Sequence, residues 1–400
     1  MSQTTNEFQR GWTVLIGCFI GIGVSLVSLI YYSGGIWIKP WQEEFGWTRA
    51  ETGLGQGLGT LAIVLGAPMA GALIDKYGLR RMATISLLLY GAGIFLFNQM
   101  GDATWVYYIL SFVMALMALP STPLGFTRVV NAWFHKHKGL ALGISLTSTG
   151  FGGFLIPKYL TPYVAEHGWR AGYMILFYIV MIAVPFVWFL VRDQPEQHGD
   201  TIDEETLTGQ GISLKEAMRT PTFWKVGTVF LLISIAIIGL IPSFIPLLQD
   251  AGMTAVQAGG YAAFLGLSVM IGRLLTGYLI DRFFAPYVLA VVFLFVASGC
   301  LALGLGGASY ALWGAIALGL AIGAEVDLIG YFTAKYFGMQ HYGSIYGVMY
   351  SIFSLGAIIS PVIAGAIWDQ TGNYNMALYL AAALIGIAVI VNFFLPKFKY

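Results

Sequence analysis

Apolar residues in this chain run in blocks of about twenty or more, broken by short polar stretches, with no strand-like alternation. Such windows fall at roughly 12–38, 54–75, 82–101, 104–133, 139–165, 171–192, 222–248, 257–281, 286–306, 309–336, 344–369 and 375–396. Each is long enough to cross a hydrocarbon core of about 30 Å at about 1.5 Å per helical residue. One long polar segment, 192–221, separates the sixth window from the seventh. It carries Asp193, Glu196, Asp200, Asp203, Glu204, Glu205 and Glu216 and reads as a tether. Within it, Ser213 and Glu216 have the spacing that caps a short surface helix. The predicted fold is an all-α membrane protein of twelve transmembrane helices in two six-helix bundles. These comprise residues 1–192 and 222–400, with a linker at 193–221.

Charge orients the bundle. With the N-terminus inside, the inner segments hold 14 of the 20 Lys and Arg residues, among them Arg10, Lys76, Arg80, Arg81, Arg192, Lys215, Lys335, Lys397 and Lys399. The outer loops hold only Lys39, Arg49 and Arg170, so both termini are expected in the cytoplasm, in a multi-pass protein of the cytoplasmic (inner) membrane. Composition agrees, at 58% hydrophobic and 10% charged residues with a mean hydropathy of +0.77. A net charge of +1 gives no case for a nucleic-acid partner, and Cys18 and Cys300 fit neither a disulfide framework nor a metal motif. No HExxH, GxSxG or phosphate-loop motif supports an enzyme, and no cofactor is expected.

The two bundles echo each other. GAPMAGALIDKYG (66–78) aligns with GRLLTGYLIDRFF (272–284), pairing Gly66 with Gly272, Gly71 with Gly277 and Asp75 with Asp281. Gly139, Gly143, Pro157 and Gly168 correspond to Gly343, Gly347, Pro361 and Gly372. Repeated halves of six spans are the mark of a transporter whose site lies between them near mid-membrane. Arg273 stands where the first half has Ala67, so its charge belongs to a site and not to the shared scaffold.

GALIDKYGLRR (71–81) resembles the signature loop of the major facilitator superfamily. That resemblance implies that Asp75 caps a neighbouring helix end and that Arg80 and Arg81, with Asp281 in the second copy, act at the cytoplasmic gate. EEFGWTRAE (43–51), WFHKHKGLALGISLTSTGFGG (133–153), GWR (168–170) and the arginine of the eighth span are similar to the bacterial monocarboxylate transporter and oxalate/formate antiporter branch. Animal monocarboxylate transporters carry an Asp one turn before that arginine, where this chain has Val269. The lysine those proteins place in the first span falls here near Tyr31–Tyr32, and the eleventh span lacks the oxalate carrier's lysine.

Few charges lie inside the spans: Arg128, Lys158, Arg273, Glu325 and Asp327. Three positives against two negatives leave one surplus positive charge, which favours a monoanionic ligand. Arg273 lies about eight residues, or roughly 12 Å, inside the end marked by Asp281. Its guanidinium stays charged and offers a two-pronged donor to a carboxylate. Glu325 and Asp327 stand about 200° apart around their helix, so only one faces the cavity. Asp327 is the expected one, because it shares a face with Tyr331, while Glu325 is expected against a neighbouring helix. Asp327, Glu325 and Arg128 are candidates for proton coupling or a charge pair. Tyr331, Tyr31, Tyr32 and Tyr350 are candidates for lining the substrate site beside Arg273. All five histidines fall in loops or the linker, so a coupled proton would need a carboxyl group.

The expected function is a secondary active transporter of a small, lactate-like monocarboxylate, coupled to protons and working by alternating access as a monomer. An oxalate/formate-type exchanger and a proton-coupled drug or cation efflux carrier are the alternatives.

Overall fold

The computed structural model describes residues 4–134, 138–193, 211–280, 282–338 and 340–399; the side chain of Asp327 and all of Asp281 lie outside the described residues. Among these residues, ten helices are long and apolar enough to cross a bilayer. An eleventh crossing comes from Glu7–Gly23 and Val27–Phe45, joined at a 43° bend. The stretch Ala285–Glu325 is 41 residues long but reverses at Gly307, whose φ is +57°. On either side of that turn Gly299 faces Ala317 and Gly314 faces Leu303, an antiparallel pairing. It is therefore two crossings, Ala285–Gly306 and Ala311–Phe337, which raises the eleven to twelve.

The spans in order are the bent pair (span 1), Arg49–Tyr77 (span 2), Leu79–Asn98 (3), Thr104–Trp133 (4), Gly139–His167 (5) and Trp169–Leu190 (6). They continue with Pro221–Asp250 (7), Ala255–Ile280 (8), the two just described (9 and 10), Tyr342–Thr371 (11) and Asn375–Phe393 (12). Helices satisfy their own backbone groups, which is why an apolar solvent selects them. Span 2 begins five residues before its apolar window. A capping box starts it, with Thr48 Oγ1 accepting from the Glu51 amide and the Glu51 carboxylate accepting from the Thr48 amide.

Span 1 bends where Ser25 and Ser28 both donate to the Ile22 carbonyl, at 2.7 and 2.6 Å, and a π-helical turn follows at Val27–Tyr31. Span 4 breaks at Leu119–Ser121 before Pro123, where the prolines interrupt the ladder. Span 7 breaks at Ile238–Gly239, and Ser360 of span 11 repairs the gap by donating to Ile235 O and accepting from Gly239 N.

The described residues nearest the two chain ends and the last residues of the linker, 211–220, lie on one face, the termini face. There the Ile212 amide donates to Phe337 O and the Lys399 amide to Lys335 O. The surface helix Leu214–Arg219 starts with the Ser213/Glu216 capping box, whose hydrogen bonds hold the Glu216 carboxyl below its usual range.

Spans 1–6 meet spans 7–12 mainly toward the opposite face. Gly35 packs on the backbone of Pro242, Gly53 on Pro361, Gly365 on Arg49 and Gly266 on Gly153, so spans 1, 2 and 5 touch spans 7, 11 and 8 backbone to backbone. Toward the termini face, a methyl added at Gly71, Gly143, Gly277 or Gly347 would meet no atom within 4 Å. The bundle is closed at one face and splayed at the other.

Candidate functional site

The π-helical turn of span 1 packs on span 5 and carries two tyrosines at its end. Tyr31 and Tyr32 pack edge to face, with ring centroids 5.6 Å apart. Tyr32 lies against Gly153 of span 5, where Gly266 of span 8 also packs. Arg273 of span 8 is partly exposed and reaches across the seam, its Nη1 3.4 Å from the Leu146 carbonyl of span 5. Glu325 of span 10 is 1% exposed, two residues beyond Gly323, where span 10 packs on the span 8 backbone at Val269 and Arg273. Neither Tyr31 Oη nor Glu325 Oε1 has a hydrogen-bond partner among the described residues, which is costly for buried polar atoms. Tyr32 and Arg273 thus meet the same helix, span 5, at the seam between the halves, and Glu325 lies on the helix packed against span 8. The orientation of the Asp327 side chain lies outside the described residues.

Other candidates lie elsewhere. The Tyr331 hydroxyl is 3.5 Å from the Ile280 carbonyl and its ring packs on Phe398, at the termini-face end of span 8. That is roughly 10 Å along the helix from Arg273, so Tyr331 is not beside it. Tyr350 continues a stacked ladder with Tyr346 and Tyr342, whose successive centroids are 6.0 and 5.7 Å apart. Arg128 pairs with Asp75, both side chains more than half exposed. This corrects the charge count from sequence: Asp75, assigned to a loop, neutralises Arg128, and the surplus positive charge disappears. Lys158 is exposed, its Nζ 5.1 Å from the Phe154 ring. The case for an anion therefore rests on where Arg273 sits, not on a net charge.

Beside Asp75, the start of span 3 is capped by a different acid. Asp193, at the end of span 6, accepts from the Leu79 amide at 2.8 Å and from the Arg80 amide, and so caps span 3. Gly78, at φ +81°, admits it, since a Cβ there would lie 2.5 Å from Asp193 Oδ2. Arg80 donates from Nε to Trp188 O at 2.6 Å and stacks over the Trp188 ring, while Arg81 is exposed.

Sequence reasoning missed the closed face. Arg49, assigned to an outer loop, is 3% exposed at the start of span 2, with Nη1 2.7 Å from Asp250 at the end of span 7. Lys39 of span 1 meets the other oxygen of Asp250 at 2.8 Å. The Arg49 guanidinium lies 3.5 Å over the Trp368 ring of span 11, and Tyr374 flanks it. Asp369 of span 11 accepts from the amides of Arg49 and Ala50, at 2.9 and 2.8 Å, and so caps a helix of the other half. Beside this lock, Glu44 accepts from Trp169 Nε1 and Arg170 Nη1, each at 2.6 Å, which joins the EEFGW and GWR motifs. The available signal was Arg49 inside EEFGWTRAE.

A polytopic helical bundle whose halves are locked at one face and parted at the other, with polar groups at the seam, is the architecture of a membrane transporter. The chain belongs to the major facilitator superfamily: the family model described as Major Facilitator Superfamily matches residues 13–352. Similar curated proteins include the uncharacterized MFS-type transporter YhjX of Escherichia coli K12, 23% identical over 366 residues covering 89% of this chain and 88% of that one. Monocarboxylate transporter 12-B of Danio rerio is 22% identical, covering 95% and 86%. Among solved structures, a bacterial homolog of the human lysosomal transporter Spinster, in an inward-facing and unoccupied conformation, superposes with a TM-score of 0.77 at 16% identity, covering 98% and 97%. The occupied form of that homolog gives 0.74 at 15% identity, covering 96% of each chain.

Proposed function

We propose that this protein carries a small monocarboxylate across the cytoplasmic membrane together with a proton, by alternating access, with its termini face in the cytoplasm. The observation that carries this reading is Arg273, a permanent cation held at the seam between the halves, within reach of span 5. A carboxylate entering from the splayed face takes both prongs of the guanidinium, and its apolar body packs on the Tyr31–Tyr32 pair. Glu325, a buried carboxyl of span 10, is the proton carrier in this scheme. Spans 1–6 and 7–12 rock about the site as two units, and the Arg49–Asp250 lock opens as the termini face closes. The excess of Lys and Arg in the termini-face segments and the monocarboxylate transporters among the relatives support the orientation and the substrate class.

The test is uptake of labelled lactate into proteoliposomes under an imposed inward proton gradient, with Arg273→Ala beside the native chain. Gradient-dependent uptake that vanishes in the variant supports the reading. Uptake that survives in Arg273→Ala removes the site.

A second reading is proton-coupled efflux of an organic cation, favoured by Glu325, a buried carboxyl whose Oε1 lacks a hydrogen-bond partner among the described residues. Under that reading, Glu325→Gln abolishes binding of a lipophilic cation while Arg273→Ala spares it.

A further inference from the structure

At the termini face, outside the seam, spans 2, 3 and 6 end around a cleft of about 460 Å³ lined by Tyr77, Arg80, Arg81, Trp188, Arg192 and Asp193. Its charges are unequally engaged. Asp193, the one acid, has its oxygens turned to the amides of Leu79 and Arg80. Arg80 is fixed by the Trp188 carbonyl and stacked on its ring, which presents the guanidinium edge in a set direction. Arg81 and Arg192 are exposed. The rim is aromatic and outward-facing, with Tyr77 47%, Trp188 37% and Phe189 67% exposed.

We propose that this cleft binds the phosphodiester head group of an anionic phospholipid from the leaflet at the termini face. Arginines match phosphate oxygens in two-pronged geometry, and basic pockets at the ends of membrane helices are where anionic head groups dock. The aromatic rim decides between a lipid and a free phosphate. Trp188 and Phe189 cover the last turn of span 6, at the depth where glycerol and the first acyl carbons lie, a surface a free ion does not use. The inference is independent of the transported substrate, because none of these residues meets Arg273 or Glu325.

Native mass spectrometry of the full chain, released from micelles doped with phosphatidylglycerol or phosphatidylcholine, tests it. Phosphatidylglycerol is expected to be retained on the native chain and on the control K215Q/K397Q. On R81Q/R192Q its retention is expected to fall by about ten- to thirty-fold, from the share each basic residue contributes at a membrane surface. Equal retention on the two double variants overturns the proposal, as does displacement by millimolar inorganic phosphate, which would make the cleft a free-phosphate site. Should R81Q/R192Q fail to fold, quenching of the native chain by brominated lipids decides. Stronger quenching by brominated phosphatidylglycerol than by brominated phosphatidylcholine, with the difference lost in Trp188→Phe, supports the site; equal quenching overturns it.

Discussion

Arg49, in the first turn of span 2, and Asp250, at the last residue of span 7, meet at 2.7 Å across the seam between the halves, with the guanidinium sealed under the Trp368 ring. The pair lies at the face where the halves touch backbone to backbone, so separating that face requires breaking it. Lys39 shares the same carboxylate, which makes Asp250 the common anchor of two cations.

Asp250→Asn is therefore expected to shift the protein toward the state open at the lock face. Removing one member of a buried ion pair costs roughly 3–5 kcal/mol when the other stays buried. Here opening relieves that cost by hydrating Arg49, so the loss appears as a population shift and not as unfolding. A cysteine placed at Ser243, which is 4% exposed near the lock, reads the shift through a membrane-impermeant thiol reagent. Labelling is expected to rise about a hundredfold. Unchanged labelling removes the lock.

Gly266 and Gly153 make a second, purely steric test. A Cβ on Gly266 would lie 2.1 Å from the Gly153 carbonyl carbon, backbone against backbone, so nothing flexible can give way. Gly266→Val is expected to destabilise the closed lock face by about 1–3 kcal/mol or more and to slow transport accordingly. The same Ser243 probe should report increased access. Normal transport in Gly266→Val would show that spans 5 and 8 need not close this tightly.

For Arg273, Arg273→Lys separates charge from shape. Lysine keeps the positive charge but loses the planar fork, so substrate affinity is expected to fall by about tenfold or more, while Arg273→Ala abolishes binding. Scintillation-proximity binding of the labelled carboxylate measures both. Equal affinity in the lysine variant would mean that only a point charge is needed.

Glu325→Gln is expected to uncouple transport from protons. Glutamine keeps the shape and a hydrogen-bonding oxygen but cannot exchange a proton. Substrate counterflow, which needs no net proton movement, should persist, while gradient-driven accumulation disappears. Loss of both together would make Glu325 a structural residue, and retention of both would move the coupling to Asp327.

The apolar blocks determined, by themselves, that this chain is a helical bundle of twelve crossings, because a hydrocarbon solvent leaves a backbone few other options. The Gly and Asp repeat placed six spans on each side of a polar linker, and one arginine in the eighth span marked where to look for a site. These are properties of single helices, readable one segment at a time. The tertiary structure decided whatever depends on two helices meeting. It set Tyr32 against Gly153 of span 5 through a π-helical turn that no apolar window reveals. It cancelled Arg128 against Asp75, a pair 53 positions apart that sequence counting had put in separate compartments. It buried Arg49, which a hydropathy window leaves in a loop because an arginine lowers the very average that defines a span. An ion pair or an aromatic lid offsets the cost of a charge only where its partner arrives from elsewhere in the chain, and that arrival is a property of the packed bundle.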